Sequence, residues 1–178
     1  MNFGPYSLYP WNSTTPSALI GNMKYYILEP IDFGLIYIEN EDIITVPSVR
    51  NTDSELYKEL QIDDIISVSS NGAHLCCSGF SSHIRCGYVV ALNGFTSDEE
   101  YYNDILVVNN LLSVQGDSGG PLFYYKNLTH VSLNGILTGA LYNFDDNINA
   151  ITGVITINSI LNLFKTLEVV TVSLNPVS

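Results

Sequence analysis

The chain has 178 residues, 46% of them hydrophobic and 13% charged, with a formal net charge of -12 from 18 acidic and 6 basic residues. That length and apolar content suit one domain or two small packed halves and exclude a disordered chain. The few Lys and Arg form no cluster that would neutralise phosphates, so neither nucleic acid nor an anionic membrane is expected as a partner. The acidity reads as solubility, with a preference for basic substrates as the alternative.

Residues 1–20 are rich in Tyr, Pro, Ser and Thr and read as N-terminal coil. They lack the basic start and apolar core of a secretory signal peptide. No apolar run reaches the ~18 residues of a bilayer span. From there the texture is β, with short runs of Val, Ile, Tyr and Thr broken by turn residues. Strands are expected at Lys24–Leu28, Phe33–Ile38, Ile65–Ser69, His74–Cys77, Cys86–Asn93, Asp104–Val108, Pro121–Tyr125, Ser132–Tyr142 and Ala150–Thr156. Turn signals fall at Glu29-Pro30, Asn71-Gly72, Asn93-Gly94, Asn134-Gly135 (with a strand interior as the alternative) and Asp145-Asp146-Asn147. Glu55–Leu60 reads as a short helical turn. Near the end, Ile157, Ile160, Leu161, Leu163 and Phe164 recur at helical spacing, with Thr156 or Asn158 as the cap. Many short strands with one C-terminal helix predict an all-β barrel or sandwich. Asn12-Ser13-Thr14 and Asn127-Leu128-Thr129 are glycosylation sequons.

The most informative stretch is Gly116-Asp117-Ser118-Gly119-Gly120-Pro121. A serine between glycines can stand at the tip of a tight loop, where flanking backbone N–H groups converge on the oxygen of an attacked carbonyl. The hexapeptide is how a chymotrypsin-like serine protease presents its nucleophile. Ala73–Gly87 (AHLCCSGFSSHIRCG), the following Tyr88–Asn93 and the later GDSGG together resemble the α-lytic protease and streptogrisin branch of that family. The resemblance spans about residues 20–172. It implies a double antiparallel β-barrel with the active site between the barrels. Residues 21–62 would be a shortened remnant of the first barrel, and residues 63–178 the second barrel with its C-terminal helix.

The family's triad runs His, Asp, Ser along the chain. Ser118 takes the nucleophile position, and the N–H groups of Gly116 and Ser118 the oxyanion hole. Asp32, in Ile31-Asp32-Phe33-Gly34-Leu35-Ile36, matches the family's Asp-hydrophobic-Gly segment; an ordinary turn Asp after Pro30 is the alternative. No histidine occurs in residues 1–31. His74, His83 and His130 all follow Asp32 and read as surface or strand histidines rather than as the base. Without a base Ser118 is an ordinary hydroxyl, so this chain is expected to be inactive or nearly so. A truncated protease is the simplest account, and a degenerate, non-catalytic relative the rival.

The resemblance also assigns Cys76 and Cys86 to a hairpin disulfide, with Cys77–Cys86 left open by the sequence. Asp117 would be buried and held by a cation. That cation's position is here Cys77, which leaves Arg85 as a substitute. Leu112, Ser113, Val114, Leu137, Thr138, Gly139 and Ala140 would border the substrate pocket, Thr138 supporting the triad Asp. None is charged, which points to small or medium apolar side chains. Packing in the barrel core is the alternative for these residues. No metal or organic cofactor is implied, since no metal-ligand spacing or phosphate loop is present. The resemblance implies a secreted monomer acting on protein or peptide substrates. A pseudoprotease that binds without cutting is the second reading.

Overall fold

The computed structural model describes residues 4–10, 13–98, 101–109, 111–141 and 151–172. Two compact units divide the chain: Met1–Val46 with Ser97–Asn103, and Pro47–Thr96 with Asp104–Ser178.

The first unit carries a three-stranded antiparallel sheet in the order β1 (Pro5–Leu8), β2 (Ala18–Ile27), β3 (Phe33–Ile38). Residues 1–20, expected as coil, therefore contain β1 and the start of β2. Pro5 pairs opposite Asn22 as the first residue of the outer strand. There its missing N–H interrupts no ladder, which is why a Pro-bearing segment still forms a strand. Among the described residues these strands form no closed barrel.

The second unit is built on β4 (Ser48–Arg50), β5 (Glu59–Ile65), β6 (His74–Gly79), most of β7 (His83–Asp98) and of β8 (Tyr101–Asn109), β9 (Pro121–Tyr125), β10 (His130–Leu141) and β11 (Ile151–Thr156). Their hydrogen-bonded order is β11-β8-β7-β6-β9-β10-β5-β4, and β10 also pairs with β11. Strand β10 spends its first half beside β5 and its second half beside β11. The β5–β10 ladder is parallel, a departure from the all-antiparallel expectation. Strands β4 and β5 continue this sheet, so residues 47–62, which the family resemblance assigned to the first barrel, pair here with the second unit.

Three local readings are corrected. Glu55–Leu60 is no helical turn: its Glu and Lys favour helix, but pairing with β4 and β10 draws Glu59 and Leu60 into β5. Asn93-Gly94 lies inside β7, and Ile66–Ser69 follows β5 as irregular chain. Tyr142, Asp145-Asp146-Asn147 and Ala150 lie outside the described residues, as does Asn12 of the first sequon.

The core gathers Leu75, Cys77, Val89, Val108, Leu111, Leu122, Leu137 and Val154 from β6 through β11. Helix α1 (Ile157–Leu163) buries Ile157 and Ile160, and Thr156 caps it by accepting from the Ser159 N–H at 3.1 Å. A disulfide joins Cys76 to Cys86, which lie directly opposite in the β6–β7 hairpin. Cys77 is a buried free thiol.

Candidate active site

Ser118 stands exposed on the loop between Leu111 and β9, and Asp117 beside it is 1% exposed. These two neighbouring residues thus face opposite environments, and backbone bonds hold them there. The Asp117 N–H donates to Val114 O at 3.0 Å and the Gly120 N–H to Asp117 O at 2.9 Å. The Gly119 N–H donates to Leu137 O at 2.8 Å and the Leu137 N–H to Gly120 O at 2.9 Å, which pins the loop to β10. Gly116 has φ 102, a left-handed backbone that disfavours a side chain, and a Cβ there would come within 2.7 Å of the Ser81 hydroxyl.

The buried carboxylate is held by backbone, not by a cation. Asp117 Oδ1 accepts from the N–H groups of Ser81 at 2.7 Å and Ser82 at 3.0 Å, and Oδ2 from that of Val114 at 2.8 Å. Burial pushes its pKa up. The Val114 N–H, the nearby Ser82 hydroxyl and the Ser82 and Ser81 N–H groups outweigh that and bring it below the ordinary carboxylate value. Arg85 is not the substitute cation: it lies opposite Cys77 in the hairpin, and among the described residues Asp117 makes no ion pair. Burial first, and then the Asp117 charge, push the Cys77 thiol up to about 12, although Arg85 acts in the other direction.

The donors Ser81 and Ser82 sit at the tip of the β6–β7 hairpin, which is itself tied down. His83 takes a left-handed backbone, φ 60, and its Nδ1 lies 2.8 Å from the Thr52 hydroxyl. The Ser78 hydroxyl donates to Arg50 O at 2.6 Å. The end of β4 and the residues just after it therefore clasp the hairpin whose tip cradles Asp117.

Beside Ser118 opens a pocket of about 180 Å³ lined by Ser113, Val114, Gln115, Ser118, Leu137, Gly139 and Ala140. Leu112 and Thr138 do not line it. Thr138 falls between Leu137 and Gly139 on β10, where a bulge shifts the register of the ladder with β11. Leu137 belongs to the pocket and to the core at once. The buried Ser113 hydroxyl lies 3.1 Å from that of Thr152, which donates to Leu111 O at 2.6 Å. Gln115 and Thr152 were not singled out from the sequence. Gln115 flanks the hexapeptide, but Thr152 reaches the site through a β-ladder no local motif reveals.

The N–H groups of Gly116 and Ser118 bond to no described residue, nor does the Ser118 hydroxyl. None of the three histidines bonds to Ser118. His130 Nδ1 is 2.6 Å from Asp63 Oδ1, His83 meets Thr52, and the His74 ring lies against Tyr88 at 5.2 Å. His74, Cys76 and Cys86 lie close enough to ligate a metal, but both sulfurs are spent in the disulfide. Asp32 belongs to the first unit, exposed between the buried Ile31 and the first residue of β3.

No family model matches the sequence, and no curated protein matches it. Solved structures do. A chymotrypsin of Cellulomonas bogoriensis superposes with TM-score 0.69 at 20% identity, covering 85% of this chain and 75% of that one. Protease A of Thermobifida fusca gives 0.70 at 22%, covering 85% and 74%. An α-lytic protease homologue, N4, gives 0.65 at 14%, covering 87% and 76%. The chain has the fold of the chymotrypsin-like bacterial serine proteases.

Proposed function

We propose that this chain is a serine-endopeptidase domain in which Ser118 is the nucleophile and the Gly116 and Ser118 N–H groups form the oxyanion hole. The observation that carries the reading is the arrangement at the loop. An exposed hydroxyl and two N–H groups without a described partner stand beside a pocket, over a carboxylate that fixes the loop from beneath. Donors set in advance for charge that develops during reaction are worth about 10²–10³ in rate each. By the family's pattern, Asp32 would take the role of orienting a histidine.

Peptide substrates would place a small or medium apolar side chain against Ser113, Val114, Leu137, Gly139 and Ala140. The reaction needs no cofactor or metal. The disulfide supports an oxidising, extracellular setting. The protein would work as a monomer.

One observation favours a second reading, a pseudoprotease that binds peptides without cutting. None of the described histidines bonds to Ser118. Loss of one triad member removes most of the rate and leaves roughly 10³–10⁴ over water from binding and the oxyanion hole. Fluorophosphonate labelling, read by mass spectrometry at Ser118, tests the nucleophile. Slow labelling, absent in Ser118→Ala and accelerated by added imidazole as a base, supports an oxyanion site lacking only its histidine. A folded chain that binds peptide but never labels supports the pseudoprotease.

A further inference from the structure

The sequon Asn127-Leu128-Thr129 takes no part in the site described above, and the structure puts it at the exposed tip of the β9–β10 hairpin. The tip is closed by the Lys126 N–H donating to His130 O at 2.9 Å. Inside it Asn127 Oδ1 accepts from the Thr129 N–H at 2.9 Å, the Thr129 hydroxyl at 3.2 Å and the His130 N–H at 2.9 Å. The carboxamide oxygen is thus fully used, while Nδ2 bonds to no described residue. Below the tip, Lys126 Nζ pairs with Asp63 at 3.1 Å and Asp64 at 3.0 Å, and His130 with Asp63 at 2.6 Å. These pairs anchor the hairpin to β5 and leave its end projecting, with Leu128 69% exposed.

We infer that Asn127 is an acceptor for N-linked glycosylation, the donor being a lipid-linked oligosaccharyl diphosphate. Nδ2 forms the bond to C1 of the sugar and loses one proton. The C1–O bond to the diphosphate breaks, its electron pair leaving on the phosphate oxygen. Two independent features carry the inference. The turn is local, every bond within it spanning at most four residues from Lys126 to His130, so none of these bonds needs a partner elsewhere in the sheet. The Cys76–Cys86 disulfide indicates the kind of oxidising compartment in which such transfer occurs. A glycan here would cover Leu128 and stand on a hairpin end that takes no part in the Ser118 pocket lining.

The test is cell-free translation of the full chain behind a cleavable leader into endoplasmic-reticulum microsomes. Removal of glycan by endoglycosidase is followed on gels, and the Asn127 peptide is read by mass spectrometry. The expected result is a mobility shift in the membrane-protected chain that survives Thr14→Val, which removes the other sequon. The shift is lost in both Asn127→Gln and Thr129→Val and kept in Thr129→Ser. Because the chain is read directly after translocation, the result does not depend on a variant folding. A protected chain with an unmodified Asn127 peptide, or a shift that persists in Asn127→Gln and Thr14→Val combined, would overturn it.

Discussion

Gly79 and Asp117 fit together because Gly79 has no side chain. A Cβ built on Gly79 would overlap the Asp117 carboxylate and lie 2.9 Å from its Cβ. The turn of β6 into its hairpin tip thereby brings the Ser81 and Ser82 N–H groups onto Oδ1. Gly79→Ala is expected to expel the carboxylate or shift the hairpin. Forced overpacking of this kind costs about 1–3 kcal/mol, measurable as a lower urea midpoint. The same substitution should weaken binding of a transition-state analogue at Ser118 more than tenfold, since the oxyanion loop loses its anchor.

Asp117→Asn replaces an acceptor of three N–H bonds by a group with one acceptor atom. A buried donor left unsatisfied costs about 1–3 kcal/mol. Equilibrium unfolding at neutral pH should show that loss, and an unchanged midpoint would mean the nest contributes nothing.

The same carboxylate makes stability depend on pH with a definite sign. Asp117 is depressed below 3.8 in the folded chain. A depressed acid stabilises fully above its unfolded value, and the contribution fades as pH falls through the folded one. Asp63 behaves likewise, held down first by its hydrogen bond from His130 and also by Lys126, against some burial. Asp64 is lowered by the Ser132 and Lys126 bonds. Urea midpoints should therefore be flat at neutral pH and drop below about pH 4. Asp117→Asn should flatten part of that drop.

Much of this arrangement could be read from the residues before any coordinates. Phe33–Ile38 and Pro121–Tyr125 declare themselves as strands by runs in which β-branched and aromatic residues predominate, and Thr156 declares a cap. The Ser118 loop is legible because its chemistry lies in six consecutive residues. What holds it is not. Two of the three donors to Asp117 come from residues 35 and 36 positions away, and all three are backbone groups whose residue type carries no signal. Side-chain charge alone therefore points to Arg85 as a cation where none is needed. Glu55–Leu60 misleads for the related reason that β5 is chosen by its partners β4 and β10.

Gly139 borders the pocket, and a Cβ there would meet nothing within 4 Å. Gly139→Val should fill the opening without disturbing the fold. Its unfolding free energy should stay within about 0.5 kcal/mol of the parent chain, while apolar peptide ligands lose at least tenfold in affinity. Equal affinity by calorimetry would place the peptide side chain elsewhere.

Cys77 should be silent in the native protein, as a thiol pushed up to about 12 by burial in the core is neither ionised nor reachable. A thiol-titrating reagent should find no reactive cysteine before unfolding and one afterwards, with Cys76 and Cys86 still paired.

The account turns on Ser118 and the N–H groups around it, and a peptidyl boronic acid with alanine or valine at the reacting end tests them directly. Boron takes up the serine oxygen as a tetrahedral anion, imitating the acyl-transfer intermediate. A tetrahedral ¹¹B resonance on the intact chain, absent in Ser118→Ala and weakened in Gly79→Ala, is the result predicted. A folded chain that gives only the trigonal signal, or the same adduct without Ser118, would contradict it.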